Sequence, residues 1–176
     1  MPDMKRNLIL AFALLATTVC GLSAGKQPRP KQLEKAGVLP LALDDRFQFR
    51  KTEIFLHDPY YYKPTTERMI SFERQRADFG AVTQQDRRER HGEYFTFYWR
   101  AARKSAVTVR LEYRQENLGP HVQAREVFCK DAKGTMKTQF QIIGDDYAED
   151  GRVSSWRAVI IEDGKIVALT QSFLWH

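Results

Sequence analysis

Four histidines are the side chains best suited to acid–base catalysis or metal binding in this sequence: His57, His91, His121 and His176. Asp58 follows His57 directly, and a carboxylate beside an imidazole can orient the ring for proton transfer. No nucleophilic serine in a strand-to-helix turn accompanies this pair, and no two histidines have the i, i+4 spacing at which a helix presents two metal ligands. The sequence therefore predicts solvated loop histidines, and a small hydrolase using His57 and Asp58 is an alternative.

Three consecutive tyrosines, Tyr60, Tyr61 and Tyr62, lie between Pro59 and Pro64, which predicts a loop. A tyrosine ring exposed in a loop can stack on a sugar or contribute to a protein-binding surface. The same loop can also fold its rings onto the core of the domain. Both interpretations stay open at this point.

A second pair of tyrosines lies in the aromatic segment 93–100. Strand alternation places Trp99 and two phenylalanines on one face of this segment, and Tyr94 and Tyr98 on the other. We expect the first face to lie in the core. The second face is a candidate binding surface if no other segment of the chain covers it.

Carboxylates cluster shortly before Gly151, at Asp145, Asp146, Glu149 and Asp150. Oxygen-rich loops bind Ca²⁺ when carboxylates alternate at close spacing and a glycine permits the turn. The spacing here is not that of an EF-hand, so the four residues are a metal candidate without a recognised motif. An acidic connection between strands explains them equally well, and we predict no metal and no cofactor.

The amino-terminal residues 1–24 have the pattern of an export signal. Lys5 and Arg6 precede the uncharged apolar run 8–24, as in a secretory signal peptide or a signal anchor. The run is close to the shortest length, about 17 residues, that spans a bilayer as a helix. Cleavage, retention as an anchor and lipidation of Cys20 are all open. The basic end stays cytoplasmic, so we expect the rest of the chain on the periplasmic or extracellular side, anchored or secreted.

The chain carries a formal net charge of +6, which becomes +5 when residues 1–24 are left out with Asp3, Lys5 and Arg6. This modest excess favours an anionic surface, such as lipid headgroups or a polysaccharide. The positive charges are too interspersed to indicate binding to nucleic acid. The segment 25–45, in which lysine, arginine and proline recur, is predicted to be a basic linker between the export segment and the folded domain.

The remaining residues 46–176 are predicted to form one all-β domain, because short β-type runs alternate with polar turns. Strands are expected at 46–50, 52–57, 69–74, 93–100, 107–114, 122–129, 135–143, 153–162 and 165–175. One short helix is expected at 83–90, where Thr83 can cap the amino end. A hairpin loop is expected at 130–134, and Asp163-Gly164 is a typical two-residue hairpin turn.

No alternation of strands and helices is present, so the pattern favours an antiparallel two-sheet sandwich. In strand count alone it resembles immunoglobulin-like and fibronectin-type domains, and such a resemblance implies no function. The cysteine pair of antibody domains is absent, and Cys129 is expected to be a small buried side chain or, alternatively, to form an intermolecular disulfide. The last two strands are apolar on both faces, so we expect both to be central.

Together these features predict a non-enzymatic binding or structural module of the cell envelope. Residues 8–24 would tether it to the membrane if they are not cleaved, and a protein partner would bind either the three-tyrosine loop or the face of Tyr94 and Tyr98. The first alternative is a carbohydrate-binding module that uses Tyr60, Tyr61 and Tyr62. The second is the small hydrolase.

Overall fold

The computed structural model describes residues 29–61 and 66–176. The predicted export segment, Cys20 and Tyr62 lie outside the described residues. Six strands and three α-helices follow in chain order: β1 (Lys31–Leu33), β2 (Phe47–His57), α1 (Arg68–Ala77), α2 (Gln84–Arg88), β3 (Gly92–Gln115), β4 (Gln123–Ile143), α3 (Asp145–Asp150), β5 (Val153–Glu162) and β6 (Lys165–Gln171). Two short 3-10 helices cover Pro59–Tyr61 and Glu116–Leu118. None of these described helices has both the length and the hydrophobicity that crossing a membrane requires. The fold is therefore mostly antiparallel β, as the sequence predicts.

The six strands form one hydrogen-bonded antiparallel sheet, in which β3 is the central strand. β4 pairs with β3 along almost its whole length. On the other side of β3, β2 pairs with the amino half, residues 92–101, and β5 pairs with the carboxyl half, residues 108–115. β6 pairs with β5. β1 pairs with residues 124–126 of β4, which lie opposite the carboxyl half of β3. Register shifts between residues 101 and 107 separate the two halves of β3.

The main core lies between these two halves, because the inner faces of both contribute to one buried cluster. Phe97 in the amino half of β3 and Trp156 on β5 have ring centroids 5.6 Å apart. Trp156 is itself the cross-strand partner of Tyr113 in the carboxyl half. The sheet thus bends back over its own inner face. The strand count predicts two sheets, whereas the described strands form a single sheet with two facing halves.

Two local predictions are confirmed. The turn at Asp163-Gly164 joins β5 to β6, and both residues have the positive φ (48° and 72°) that a type I′ turn requires. Thr83 caps α2: its side chain accepts a hydrogen bond from the Asp86 backbone N–H, while the Asp86 carboxylate accepts one from the Thr83 N–H at 2.8 Å.

Several local predictions are wrong, among them the separate strands at 46–50 and 52–57, which are the single strand β2. Residues 69–74 belong to helix α1 and not to a strand. Their short apolar pattern suits either period, and the whole helix Arg68–Ala77 also contains the helix-forming residues Arg, Met, Glu, Gln and Ala. Residues 130–134 do not form a hairpin loop, because β4 runs through them at the bend. For the same reason β3 is one strand where two are predicted. β6 ends the strand order and is not central.

The outer side of β5 and β6 is apolar because a segment of the chain before β2 covers part of it, and not because both strands are central. Residues 34–44, here called the strap, cross the outer face of the carboxyl half from β1 to β6. The Gly37 carbonyl accepts a hydrogen bond from Arg110 on β3 at 3.0 Å, and Leu39 packs on Val159, Ile161 and Ile166. The strap then runs beside β6, where the Ala42 N–H donates to the Ile166 carbonyl at 2.9 Å. The segment predicted as a linker therefore contains β1 and this strap.

Candidate functional site

The outer face of the amino half presents an ordered set of side chains. Because side chains alternate along a strand, the pairing of β2, β3 and β4 brings three of them together in each cross-strand row. From the bend outward, the rows are Lys51–Tyr98–Lys137, Glu53–Thr96–Gln139, Phe55–Tyr94–Gln141 and His57–Gly92–Ile143. Tyr94 and Tyr98 therefore share this face, as the alternation predicts, and they lie at the centre of a polar and aromatic floor.

Helix α1 forms a roof over this floor. Met69, Glu73, Arg76 and Ala77 line the space beneath it, and their i, i+4, i+7 and i+8 spacing places them on one helical face. No residue of α1 is buried, so the helix stands away from the sheet. Between helix and floor lies a groove of about 670 Å³, and Arg90 is also part of its wall. This volume is within the range of about 300–1,000 Å³ that is usual for ligand sites.

Tyr98 lies between two lysines in the first row of the floor. The Nζ atoms of Lys51 and Lys137 are 5.9 and 5.7 Å from the centroid of its ring, at cation–π distance. Lys51 also forms a 2.6 Å ion pair with Glu53. The hydrogen bond from Lys51 is the main cause that lowers the pKa of the Glu53 carboxyl, and a hydrogen bond from Tyr98 adds to it. Burial, and then the bond to Glu53, raises the pKa of Tyr98.

The charges on the roof and at the end of the groove are also held by partners. Arg76 pairs with Glu73 on the same helix at 3.3 Å. Arg90 donates from Nη1 to the Ala77 carbonyl at 3.1 Å and also to the Phe79 carbonyl, which fixes the end of α1 to the start of β3. Tyr94 donates from its hydroxyl to the Arg90 carbonyl at 2.8 Å, and burial raises its pKa to about 12. At neutral pH, Tyr94 is therefore a hydrogen-bond donor.

The prediction of a solvated loop histidine is wrong for His57, which is on strand β2 in the last row of the floor, beneath the end of α1. Its side chain is almost fully buried, with 1% of the residue exposed, and its Nε2 lies 2.8 Å from Oδ1 of Asp78, the residue that follows α1. The ring contacts His91 at a centroid distance of 5.7 Å. Burial first, and then the proximity of His57, lowers the pKa of His91. This cluster joins α1 to the sheet.

Asp58 points to a different set of groups. It is 5% exposed; its Oδ2 accepts the hydroxyl of Tyr147 on α3 at 2.9 Å, and its Oδ1 accepts the Tyr60 N–H at 2.9 Å. The bond to Asp58 and, above all, burial raise the pKa of Tyr147. The hydrogen bonds of the described side chains thus connect His57 to Asp78 and Asp58 to Tyr147.

The three-tyrosine loop begins directly after Asp58. Tyr60 is 90% exposed and Tyr61 is 58% exposed. The guanidinium of Arg152 lies 5.1 Å from the centre of the Tyr61 ring. Neither described tyrosine lines the groove, so the loop and the groove are separate candidate surfaces.

The four acidic candidates for a metal site lie on helix α3. Asp146 forms an ion pair with Arg125, and Asp150 accepts a hydrogen bond from Gln123 at 3.2 Å. Asp145 and Glu149 are exposed. Within residues 29–61 and 66–176, no three His, Cys, Asp or Glu side chains are arranged to hold a metal ion.

Cys129 is half-buried on β4 and packs against the main core. Burial raises the pKa of its thiol, which keeps it protonated and poorly reactive at neutral pH.

Most of the groove is not predicted from the sequence. Of its residues only Tyr94 and Tyr98 are predicted to form a surface, and not the residues that surround them on β2, β4 and α1. The spacing of Met69, Glu73, Arg76 and Ala77 could have indicated a helix with one groove-facing side. The cross-strand partners Glu53 and Lys137 could not be found without the strand register.

No known protein family, curated protein or solved structure matches this chain.

Proposed function

We propose that this protein is an exported, membrane-tethered binding module of the cell envelope, and that the groove beneath α1 is its binding site for a protein partner. The observation that carries the proposal is a helix without a buried residue above an ordered floor, separated from it by about 670 Å³. A helix with nothing to bind would gain free energy by packing directly on the aromatic floor. The space indicates room for a segment of a partner.

The side chains around the groove suit a polar polypeptide segment. Phe55, Ile143 and Met69 offer apolar contacts, while Gln139 and Gln141 offer amide donors and acceptors. Carboxylates and cations both line the groove, so a uniformly charged polymer is not the best ligand.

The proposal is binding and not catalysis. The lysine and arginine charges of Lys51 and Arg76 are paired with carboxylates, and Arg90 holds backbone carbonyls. The imidazole of His57, in the last row of the floor, is 1% exposed and lacks the access to a substrate that a general base needs. The hydrolase alternative therefore has no support in the accessible groups of this region.

A carbohydrate-binding module remains a second candidate, which the exposure of Tyr60 favours. The sandwich, immunoglobulin-like in strand count, also stays a proposal: the inner faces of the two halves of the sheet pack together, with the tilted rings of Phe97 and Trp156 at a centroid distance of 5.6 Å. Export and tethering rest on the pattern of residues 1–24.

The test fills the groove and leaves the core untouched. Ala77→Trp places an indole under the roof, and Gln75→Trp places one on the exposed side of the same helix as a matched control. We expect the wild type and Gln75→Trp to recover the same partner from detergent-solubilised envelope, and Ala77→Trp to recover at least about tenfold less, which corresponds to about 1.4 kcal/mol. Equal recovery by both variants would show that the groove is not the binding site.

Retention of the protein on a polysaccharide distinguishes the second candidate, the carbohydrate-binding module, from the protein-binding groove. A carbohydrate module would lose retention when Tyr60, Tyr61 and Tyr62 are changed to Ala together, and would keep it in Ala77→Trp. Retention that survives the triple change would remove the loop from consideration.

A further inference from the structure

The outer face of the carboxyl half carries a second exposed surface, which the groove does not use. Several of its large apolar side chains are open to solvent: Val38 and Leu41 on the strap, Phe128 on β4 and Leu169 on β6, with exposures of 101, 59, 57 and 37%. Phe128 and Leu169 belong to this outer face because their cross-strand partners, Thr108 and Val159, lie on it. We call these four residues and the strap the strap face.

This surface is unusual for a domain that only needs to be soluble, because apolar residues that cluster on one face mark an interaction site. Two charged networks lie beneath it and are satisfied internally. Arg110 pairs with Glu126 at 2.6 Å, and Arg157 pairs with Glu112 at 2.5 Å. The charged side chains of this face therefore already have partners within the domain, and the groups it offers to a further partner are the exposed apolar ones.

The route of the chain indicates what covers the strap face. The predicted anchor ends at Ala24, and β1 begins at Lys31. Seven residue steps span at most about 25 Å, even when fully extended. A domain of this length has a radius of gyration of about 15 Å, and therefore a diameter of roughly 35–40 Å. The tether is shorter than the domain is wide, so an anchored chain must turn the side that carries β1 toward the bilayer.

β1 is on the edge of the strap face. Lys31 pairs with Glu126, and Phe128 is two residues further along β4, beside the point where the chain enters β1. Arg29 and Lys31 are exposed at this entrance, and Lys35 is exposed at the start of the strap. Basic side chains next to exposed apolar ones are the combination that binds an anionic membrane surface.

We propose that the strap face rests on the membrane into which residues 8–24 insert, with Phe128 and Val38 at the level of the lipid headgroups. This inference rests on the proposed function, because a cleaved chain has no tether. The two halves of the sheet pack through their inner faces, so their outer faces point in opposite directions. The groove beneath α1 is then held on the side away from the bilayer, open to a partner.

The test measures which face contacts lipid in the full chain. The full-length protein is reconstituted into vesicles of phosphatidylcholine and phosphatidylglycerol, with and without brominated lipids that quench tryptophan fluorescence on contact. Phe128→Trp reports on the strap face, and Phe79→Trp is the matched control, since Phe79 is 85% exposed beyond the end of α1 on the groove side. The signal of the native tryptophans is subtracted with the wild-type chain.

We expect the added quenching in Phe128→Trp to exceed that in Phe79→Trp by about fivefold or more. Equal quenching, or stronger quenching of Phe79→Trp, would overturn the orientation. Iodide protection of position 128 that grows with protein concentration, without quenching by lipid, would mean that another protein covers the face and would also overturn it. Failure of the wild type to float with vesicles would instead refute the tether of the proposed function. Changing both Val38 and Leu41 to Glu in the Phe128→Trp chain should remove the added quenching at position 128 while flotation continues.

Discussion

Removing the hydroxyl of Thr138 should destabilise the sheet directly below the groove. Trp99 donates from Nε1 to the Thr138 Oγ1 at 2.9 Å, and both residues are buried. Trp99 follows Tyr98 on β3, and Thr138 follows Lys137 on β4, so this bond holds the register that pairs Tyr98 with Lys137. Thr138→Val keeps the shape of the side chain and leaves the indole N–H without its acceptor. The cost of such a buried unsatisfied donor is about 1–3 kcal/mol.

The assay is equilibrium unfolding of the full chain in mild detergent, followed by circular dichroism. We expect Thr138→Val to lower the free energy of unfolding by about 2 kcal/mol. In a chain of this size the same change lowers Tm by about 4–8 °C. Thr138→Ser keeps the acceptor and loses one methyl group, so its cost should be smaller, about 1 kcal/mol.

A double-mutant cycle decides whether the hydrogen bond is the cause. In a Trp99→Phe background the indole N–H is absent, so Thr138→Val should cost at least about 1 kcal/mol less than it does in the wild type. Equal costs in the two backgrounds would refute the reasoning, because the loss would then come from Thr138 itself. Binding through the groove should weaken in Thr138→Val only as far as the folded fraction falls.

Two further predictions concern stability. Hydrogen bonds from the side chain and backbone of Arg46 lower the pKa of Asp44 from 3.8 to about 2, so this carboxylate contributes stability that is fully present above pH 3.8 and is lost as the pH falls toward 2. In urea unfolding at a series of pH values, Asp44→Asn should lose less of its free energy of unfolding over that pH range than the wild type does. An equal loss in the two chains would contradict this prediction. Gly92 has a φ of 145°, and a Cβ there would lie 2.1 Å from the Ile142 carbonyl oxygen. Gly92→Ala should therefore cost at least about 3 kcal/mol in the same unfolding assay, whereas Gly37→Ala, with no atom within 4 Å, should be nearly neutral.

The two proposed surfaces lie on the two halves of one bent sheet. The amino half carries the groove, in which a helix stands above an aromatic and amide-rich floor. The carboxyl half carries the strap, which covers part of its outer face and leaves apolar side chains exposed. In the proposed orientation the groove faces away from the bilayer, because both surfaces belong to the same sheet.

Local chemistry made some elements predictable from the sequence. The Asp163-Gly164 turn requires two residues with positive φ, and Asp-Gly is among the few pairs that adopt this conformation without strain. Thr83 and Asp86 cap a helix through contacts three residues apart, which spacing alone predicts. Strand alternation likewise separated Tyr94 and Tyr98 from the core face of the same strand.

Other features depended on contacts that are remote along the chain. The polar residues 130–134 are typical of a turn, but β4 continues through them because β3 bends beside it and supplies backbone partners. The apolar outer sides of β5 and β6 indicated central strands, whereas the strap covers them. The sequence by itself determined the β character, the local turns and caps, and which side chains alternate together. Only the tertiary structure decided the strand register and the bend, and these place Lys51, Glu53 and Lys137 around Tyr98, because cross-strand neighbours are set by long-range pairing and not by spacing along the chain.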